Sequence, residues 1–202
     1  MTINNLAFET ALYLKGYEYI CGVDEAGRGP LAGPVVASAV IFKRGFYHKD
    51  INDSKIVSKA KREMLFDIIM SNAVAVGISI IDSKVIDDIN ILEASRLAMQ
   101  DAISKLKVKP DFVLTDHMDI KGYPYESIVK GDQKSMTIAA ASIIAKVTRD
   151  KIMFEYDKIY PNYHFSAHKG YGTKQHLEAL KLYGATPIHR QSFKPVRDIH
   201  KT

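Results

Sequence analysis

The chain has 202 residues, 47% of them hydrophobic and 25% charged, with 28 Lys/Arg against 23 Asp/Glu and a formal net charge of +5. That balance excludes a disordered, collagen-like or coiled-coil chain and suits one continuous domain with a buried core. The longest uncharged stretches, residues 29–42 and 68–81, hold 14 residues each, short of the roughly 20 that a membrane helix needs.

In chain order, residues 19–23 and 35–42 are β-branched and aromatic runs, and the second is apolar on both faces, as a buried strand is. Residues 58–70 place Met64, Leu65, Ile68 and Ile69 on one helical face behind a Ser58 cap. A strand returns at 74–81. Asn90 and Glu93 have capping-box spacing, and Leu92, Met99, Ile103 and Leu106 continue as a helical stripe. Residues 112–115 read as a short buried strand and 126–130 as a weaker one. The segment 135–156 reads as a long helix whose Ala139, Ala140, Ala141 and Ala145 permit close packing on a sheet, and 174–183 as a last helix stopped by Gly184. This order describes an α/β fold with a helical tail: a catalytic-sized unit at 1–157 and a C-terminal extension at 158–202 packed on it.

The extension carries eight Lys/Arg against Glu178 and Asp198, and five of the seven histidines, beside an almost neutral body. A compact basic segment suits a polyanion, although charge by itself favours a solvated helical surface. The only cysteine, Cys21, reads as a small buried hydrophobe in a strand. With one cysteine and no basic-then-apolar leader, the expected compartment is the reducing cytoplasm, with no membrane partner.

The informative residues are acids at strand ends. Asp24-Glu25, Asp116 and Asp132 each follow a predicted strand, where the ligand crevice of an open α/β sheet lies. Four gathered carboxylates repel one another unless a cation neutralises them. There is no paired Cys and no HExxH spacing, so an all-oxygen site for Mg2+ or Mn2+ is expected, of the kind that serves two-metal phosphodiester hydrolysis. Residues 27–33, Gly-Arg-Gly-Pro-Leu-Ala-Gly, formally match a dinucleotide-binding loop. The adjoining acids would oppose a pyrophosphate, and a strand follows where a phosphate-binding helix should start. A bare backbone that lets N–H groups reach a sugar or phosphate, with Arg28 alongside, is the better reading.

The segments GVDEAGRGPLAGPVVASAV (22–40), NDSK (52–55), VKGD (129–132), AASIIAKVTRD (140–150) and HKGYGT (168–173) make the chain resemble the ribonuclease HII family over almost its whole length. The resemblance implies a ribonuclease H-like fold with a mixed central sheet flanked by helices. It implies an endonuclease that hydrolyses the RNA strand of RNA–DNA hybrids and cuts at ribonucleotides embedded in duplex DNA, as in ribonucleotide excision repair. It implies that Asp24, Glu25, Asp116 and Asp132 are the catalytic and metal-binding acids, that Gly27, Arg28 and Gly29 read the ribose 2′-OH, and that Tyr171 packs on the following deoxyribose. Ser54, Lys55, Lys146 and Arg149 are further expected phosphate or backbone contacts. His168 and His189 are assigned to phosphate contact or surface rather than to proton donation, and Tyr17, Tyr19, Tyr156 and Tyr160 to packing. One departure is His117, where the family usually has Gly after the third acid. The ribonuclease HIII sibling is disfavoured because its added N-terminal domain does not fit the 18 residues before the first strand. A non-catalytic hybrid-binding protein is disfavoured because all four acids are present. The expected state is a monomer.

Overall fold

Two apolar runs either side of the glycine loop fold back on one another and nucleate the sheet. The computed structural model describes residues 5–52 and 57–201. Strand β1 (Ile20–Ala26) pairs antiparallel with β2 (Val35–Phe42), and β2 antiparallel with β3 (Ala73–Ile81). On its other side β1 runs parallel to β4 (Phe112–Asp116), which runs parallel to β5 (Tyr125–Ile128). The order is β3-β2-β1-β4-β5, a mixed sheet. Because β1, β4 and β5 are parallel, their carboxyl ends share one edge, and Asp24 and Asp116 arrive there together.

The helices of the body are α1 (Ala7–Leu14), α2 (Lys59–Asn72), α3 (Ser83–Ser104), α4 (Gly131–Lys134) and α5 (Met136–Ile159). Strand alternation sorts them onto the two faces. Cys21, Val23, Val35, Ala37, Ala39 and Ile41 pack against Ala94, Ala98, Met99 and Ala102 of α3. Val40 and Phe42 meet Leu65 and Ile69 of α2 and the alanine-rich stripe of α5 on the other side. Gly22 is why α5 comes so close: a Cβ there would stand 2.1 Å from the Thr137 carbonyl carbon.

Three elements differ from the sequence expectation. Helix α3 starts at Ser83, capped by Asp82, whose Oδ1 accepts from the Val85 N–H at 2.9 Å. Asn90 then breaks it with φ 67° and caps its second half, accepting from Leu92 and Glu93, so the cap expected at Asn90 lies inside a longer, kinked helix. Helix α1 had no counterpart in the pattern. It is pinned by Glu9, buried at 1% exposure, whose Oε1 accepts from the Thr137 N–H and from the Ser135 and Thr137 hydroxyls at the start of α5. A carboxylate at a helix N-terminus is favoured by the exposed N–H groups there. Finally, Asp132 sits on the one-turn helix α4 rather than directly at the end of β5.

Beyond α5 the chain turns through Pro161–Tyr163 into α6 (Phe165–His168), α7 (Lys174–Tyr183) and α8 (Lys194–Arg197). Tyr163, Phe165, Ala179 and Ile188 close over Ala32 and Met153, while Leu180 and Val196 close over Leu31. The segment after α5 thus grips the loop between β1 and β2. Its cations divide between the interior and exposed pairs. Arg190 is fully buried, and Lys158, Lys174 and Lys194 sit within 4.0 Å of Glu155, Glu178 and Asp198. Among the described residues no helix is long and apolar enough to cross a membrane.

Candidate active site

The carboxyl ends of β1 and β4 and the start of α4 bring Asp24, Asp116 and Asp132 together, with one oxygen of each within 4.8 Å of the others. Two left-handed residues make this convergence possible. His117, at φ 51°, turns the chain directly after Asp116, and Lys130, at φ 58°, turns it into α4. The position where a glycine was expected therefore does require left-handed backbone, and His117 occupies it at a steric cost. Asp116 is held by the Gly131 N–H at 2.9 Å, and Asp24 by the Glu25 N–H at 2.8 Å.

Asp24 and Asp132 are buried. Burial first, then the Glu25 and Asp116 charges, push the Asp24 carboxyl well above the usual carboxylate range. Burial also raises Glu25, against the opposing pull of Arg28. Strand alternation turns Glu25 away from Asp24. It sits at the rim of the same cleft, 3.4 Å from the Arg28 guanidinium, with its Oε2 buried and without a hydrogen-bond partner. Three converging carboxylates, two of them buried and Asp116 half-buried, with an orphaned Glu25 oxygen beside them, form a donor set that fits a hard divalent cation.

The cleft, about 470 Å³, also admits Arg28, Arg62, Lys146 and Tyr171. Lys146 is held by Asp150 at 2.7 Å, and Asp150 also faces Arg62 at 3.5 Å. Arg62, on α2, was not singled out in the sequence. The glycine loop and the Tyr171 loop form one unit. Leu31 N–H donates to the Gly170 carbonyl at 2.8 Å, and a Cβ on Gly29 would lie 3.5 Å from the Tyr171 Cε1. Tyr171 itself is 46% exposed, its ring available at the cleft.

Arg149 was expected to contact a substrate backbone. The structure buries it at 1% exposure, and its guanidinium donates to the carbonyls of Pro34, Lys169 and Ala32 at 2.9–3.1 Å. It braces the two loops from beneath. Gly27, at φ 99°, lies directly over it, and a Cβ there would come within 2.1 Å of the Arg149 Nε. Arg190, which no sequence signal marked, does the same for the glycine loop, donating to the carbonyls of Gly27, Arg28 and Gly33. His168 and His189 are neither surface nor facing the acids: both are buried and bonded to backbone behind Tyr171. Ser54 and Lys55 lie outside the described residues.

The fold and this acidic edge define the class first. The ribonuclease H2 of Pyrococcus horikoshii OT3 superposes with a TM-score of 0.79 at 27% identity, covering 91% of this chain and 97% of that one. The Bst RNase HIII solved in complex with Mn2+ superposes with a TM-score of 0.68 at 15% identity, covering 91% and 70%, a likeness of fold alone. The molecule is thus a ribonuclease H-type α/β nuclease. A family model described as Ribonuclease HII matches residues 21–196, and the chain is 69% identical over 201 residues to the Ribonuclease HII of Acholeplasma laidlawii (strain PG-8A), covering 100% of both. The chain belongs to the ribonuclease HII family: it is an endoribonuclease that hydrolyses the RNA strand of RNA–DNA hybrids.

Proposed function

We propose that this cleft recognises a ribonucleotide followed by a deoxyribonucleotide, including single ribonucleotides embedded in duplex DNA, and cuts the phosphodiester on the 5′ side of that ribose. The observation that carries the reading is that the three-acid cluster opens into the same cleft as the Gly29–Tyr171 pair. The 2′-OH separates RNA from DNA at a given site. A loop without Cβ atoms at Gly27 and Gly29 can bring its N–H groups to that hydroxyl. The carbonyls of Gly27, Arg28 and Ala32 accept from Arg190 and Arg149, which hold the loop backbone in place for that contact. Tyr171 offers an aromatic face to the next sugar, where a missing 2′-OH leaves room.

Asp24, Asp116 and Asp132 are the residues that would hold a divalent cation, Mg2+ or Mn2+, with Glu25 contributing from the rim. When bound, such a cation supplies Lewis-acid chemistry, offsetting phosphate charge and easing deprotonation of water. The chain's own part is to position. The acids fix the scissile phosphate's surroundings, and Arg28, Arg62 and Lys146 face its negative charge; Ser54 and Lys55 are assigned to phosphate contact from the NDSK motif alone. The single Cys21, buried in β1, is consistent with a reducing cytoplasm, and we take the working unit to be a monomer with the 158–202 extension packed on the catalytic body.

The test is to incubate the protein with Mg2+, and separately with Mn2+, on a DNA duplex carrying one ribonucleotide, on a uniform hybrid and on all-DNA. Cleavage 5′ of the single ribonucleotide, abolished by chelation and absent on all-DNA, is expected. Cutting of the uniform hybrid alone would overturn the junction reading.

A further inference from the structure

Behind Tyr171 lies a chain of buried histidines that the nuclease chemistry does not use. Its proton positions follow from its ends. The Tyr171 carbonyl can only accept, so the His176 Nδ1, 2.9 Å away, carries a hydrogen. The Thr186 N–H can only donate, so the His189 Nδ1 it reaches at 2.9 Å carries none, and the His189 hydrogen is on Nε2. The two Nε2 atoms are 3.0 Å apart, and these assignments make one a donor and the other an acceptor. The result is a directional run of neutral imidazoles: Thr186 N–H to His189, His189 to His176, His176 to the Tyr171 carbonyl. Both rings are essentially fully buried, and desolvation pushes each down to about 4, so the neutral forms persist across the physiological range.

Neighbouring contacts leave Tyr171 little other freedom. His168 stacks on His176 with ring centroids 4.5 Å apart and accepts from the Gly170 N–H through Nδ1, and the Tyr171 N–H donates to the His168 carbonyl. The Tyr171 carbonyl also accepts from Thr173 N–H at 2.8 Å, so His176 is its second donor.

We propose that His176, oriented by His189, is a positioning residue that fixes the Tyr171 peptide and thereby aims the Tyr171 ring across the cleft from Gly29, setting the selectivity for a ribose followed by a deoxyribose. This rests on the proposed role of Tyr171 as the sugar platform. Neither histidine touches substrate; the effect reaches it through Tyr171.

The two positions demand opposite amides, which separates positioning from packing. An Asn amide nitrogen falls where the histidine Nδ1 lies, and a Gln amide nitrogen where Nε2 lies. His176→Asn keeps the donor to the Tyr171 carbonyl, whereas His176→Gln loses it. His189→Gln keeps the donor to His176, whereas His189→Asn loses it. Each protein is assayed on the single-ribonucleotide duplex and on the uniform hybrid below its own melting temperature, beside Tyr171→Ala. Loss of one buried hydrogen bond is expected to lower junction selectivity by about tenfold, mainly through KM. The retained donors hold His176→Asn and His189→Gln within about threefold of the parent. Packing alone would rank Asn and Gln alike at both positions, and that result, or parental selectivity in both losing variants, overturns the proposal. If one position does not tolerate substitution, the order at the other decides. Imidazole 15N spectra that put the His176 proton on Nε2 would also overturn it. Tyr171→Ala separates the two readings: retained junction selectivity in that variant defeats the sugar-platform role itself, whereas its loss together with unordered histidine variants defeats only the positioning.

Discussion

At the scale of single residues, Asp24 carries the heaviest electrostatic load. It is buried beside Glu25 and Asp116, and desolvation first, then both like charges, work against its ionised form. Replacing it with Asn removes a repulsive charge of similar shape. In metal-free buffer at neutral pH, Asp24→Asn is therefore expected to melt a few degrees higher than the parent, about 1 kcal/mol for a chain of this size. Added Mg2+ or Mn2+ should raise the parent's melting temperature and leave that of Asp24→Asn nearly still, and cleavage by the variant should fall by at least about a hundredfold. Thermal melts with and without the ion, beside a cleavage assay, check both halves. Full turnover by Asp24→Asn would remove it from the site. The same scale explains which site residues were legible. Asp24 and Asp116 lie in the last residues of strand-forming runs, and strand ends can be read from pattern, whereas Asp132 was expected at a strand end and stands on α4. Arg149 and Arg190 could not be sorted from surface arginines, because their role is set by carbonyls of the residue 27–34 and Lys169 backbone, far away in sequence.

At the scale of elements, the close approach of α5 to β1 places the long helix under the acids. Gly22 is the contact point, and the atoms it would strike are helix backbone, which cannot rotate aside. Gly22→Ala should destabilise by about 1–3 kcal/mol or more, as overpacking against rigid atoms does. Urea unfolding is the measurement, and a parental midpoint would show that β1 and α5 do not meet as described. Helix α3 shows where element-level reading stops. Its two caps, Asp82 and Asn90, are both genuine, and local capping chemistry cannot tell a helix start from a kink within a helix. Helix α1 was invisible for another reason: its anchor, Glu9, is a charged residue whose partners lie 126 and 128 positions away.

At the scale of the whole molecule, the distribution of cations decides how the protein meets a polyanion. Of the cations in the basic extension, Arg190 is committed beneath the glycine loop, while Lys158, Lys174 and Lys194 stay exposed beside Glu155, Glu178 and Asp198. The cations at the cleft come instead from the body, through Arg28, Arg62 and Lys146. Each phosphate contact steepens the salt dependence of affinity by about 0.9 on a log–log plot for B-form DNA. Lys146→Gln is thus expected to make the slope shallower by about 1, and Lys181→Gln, out on α7, to leave it as it was. Binding titrations between low and moderate salt on a duplex with one ribonucleotide read this directly. Equal effects of the two would return the nucleic-acid contact to the extension.

The sequence by itself determined the α/β order of elements, the strand-end acids, the glycine loop and the family, because each is carried by local pattern: two-residue alternation, 3.6-residue stripes, caps and contiguous motifs. Only the tertiary structure decided which side chains brace and which face the cleft. It drew Arg149 inward, recruited Arg190 and Arg62, and aligned His189, His176 and Tyr171 in one hydrogen-bonded line. Those assignments depend on where one buried donor meets an acceptor from a distant part of the chain. A buried polar group must find its partner wherever packing brings one, and neither composition nor spacing encodes that place.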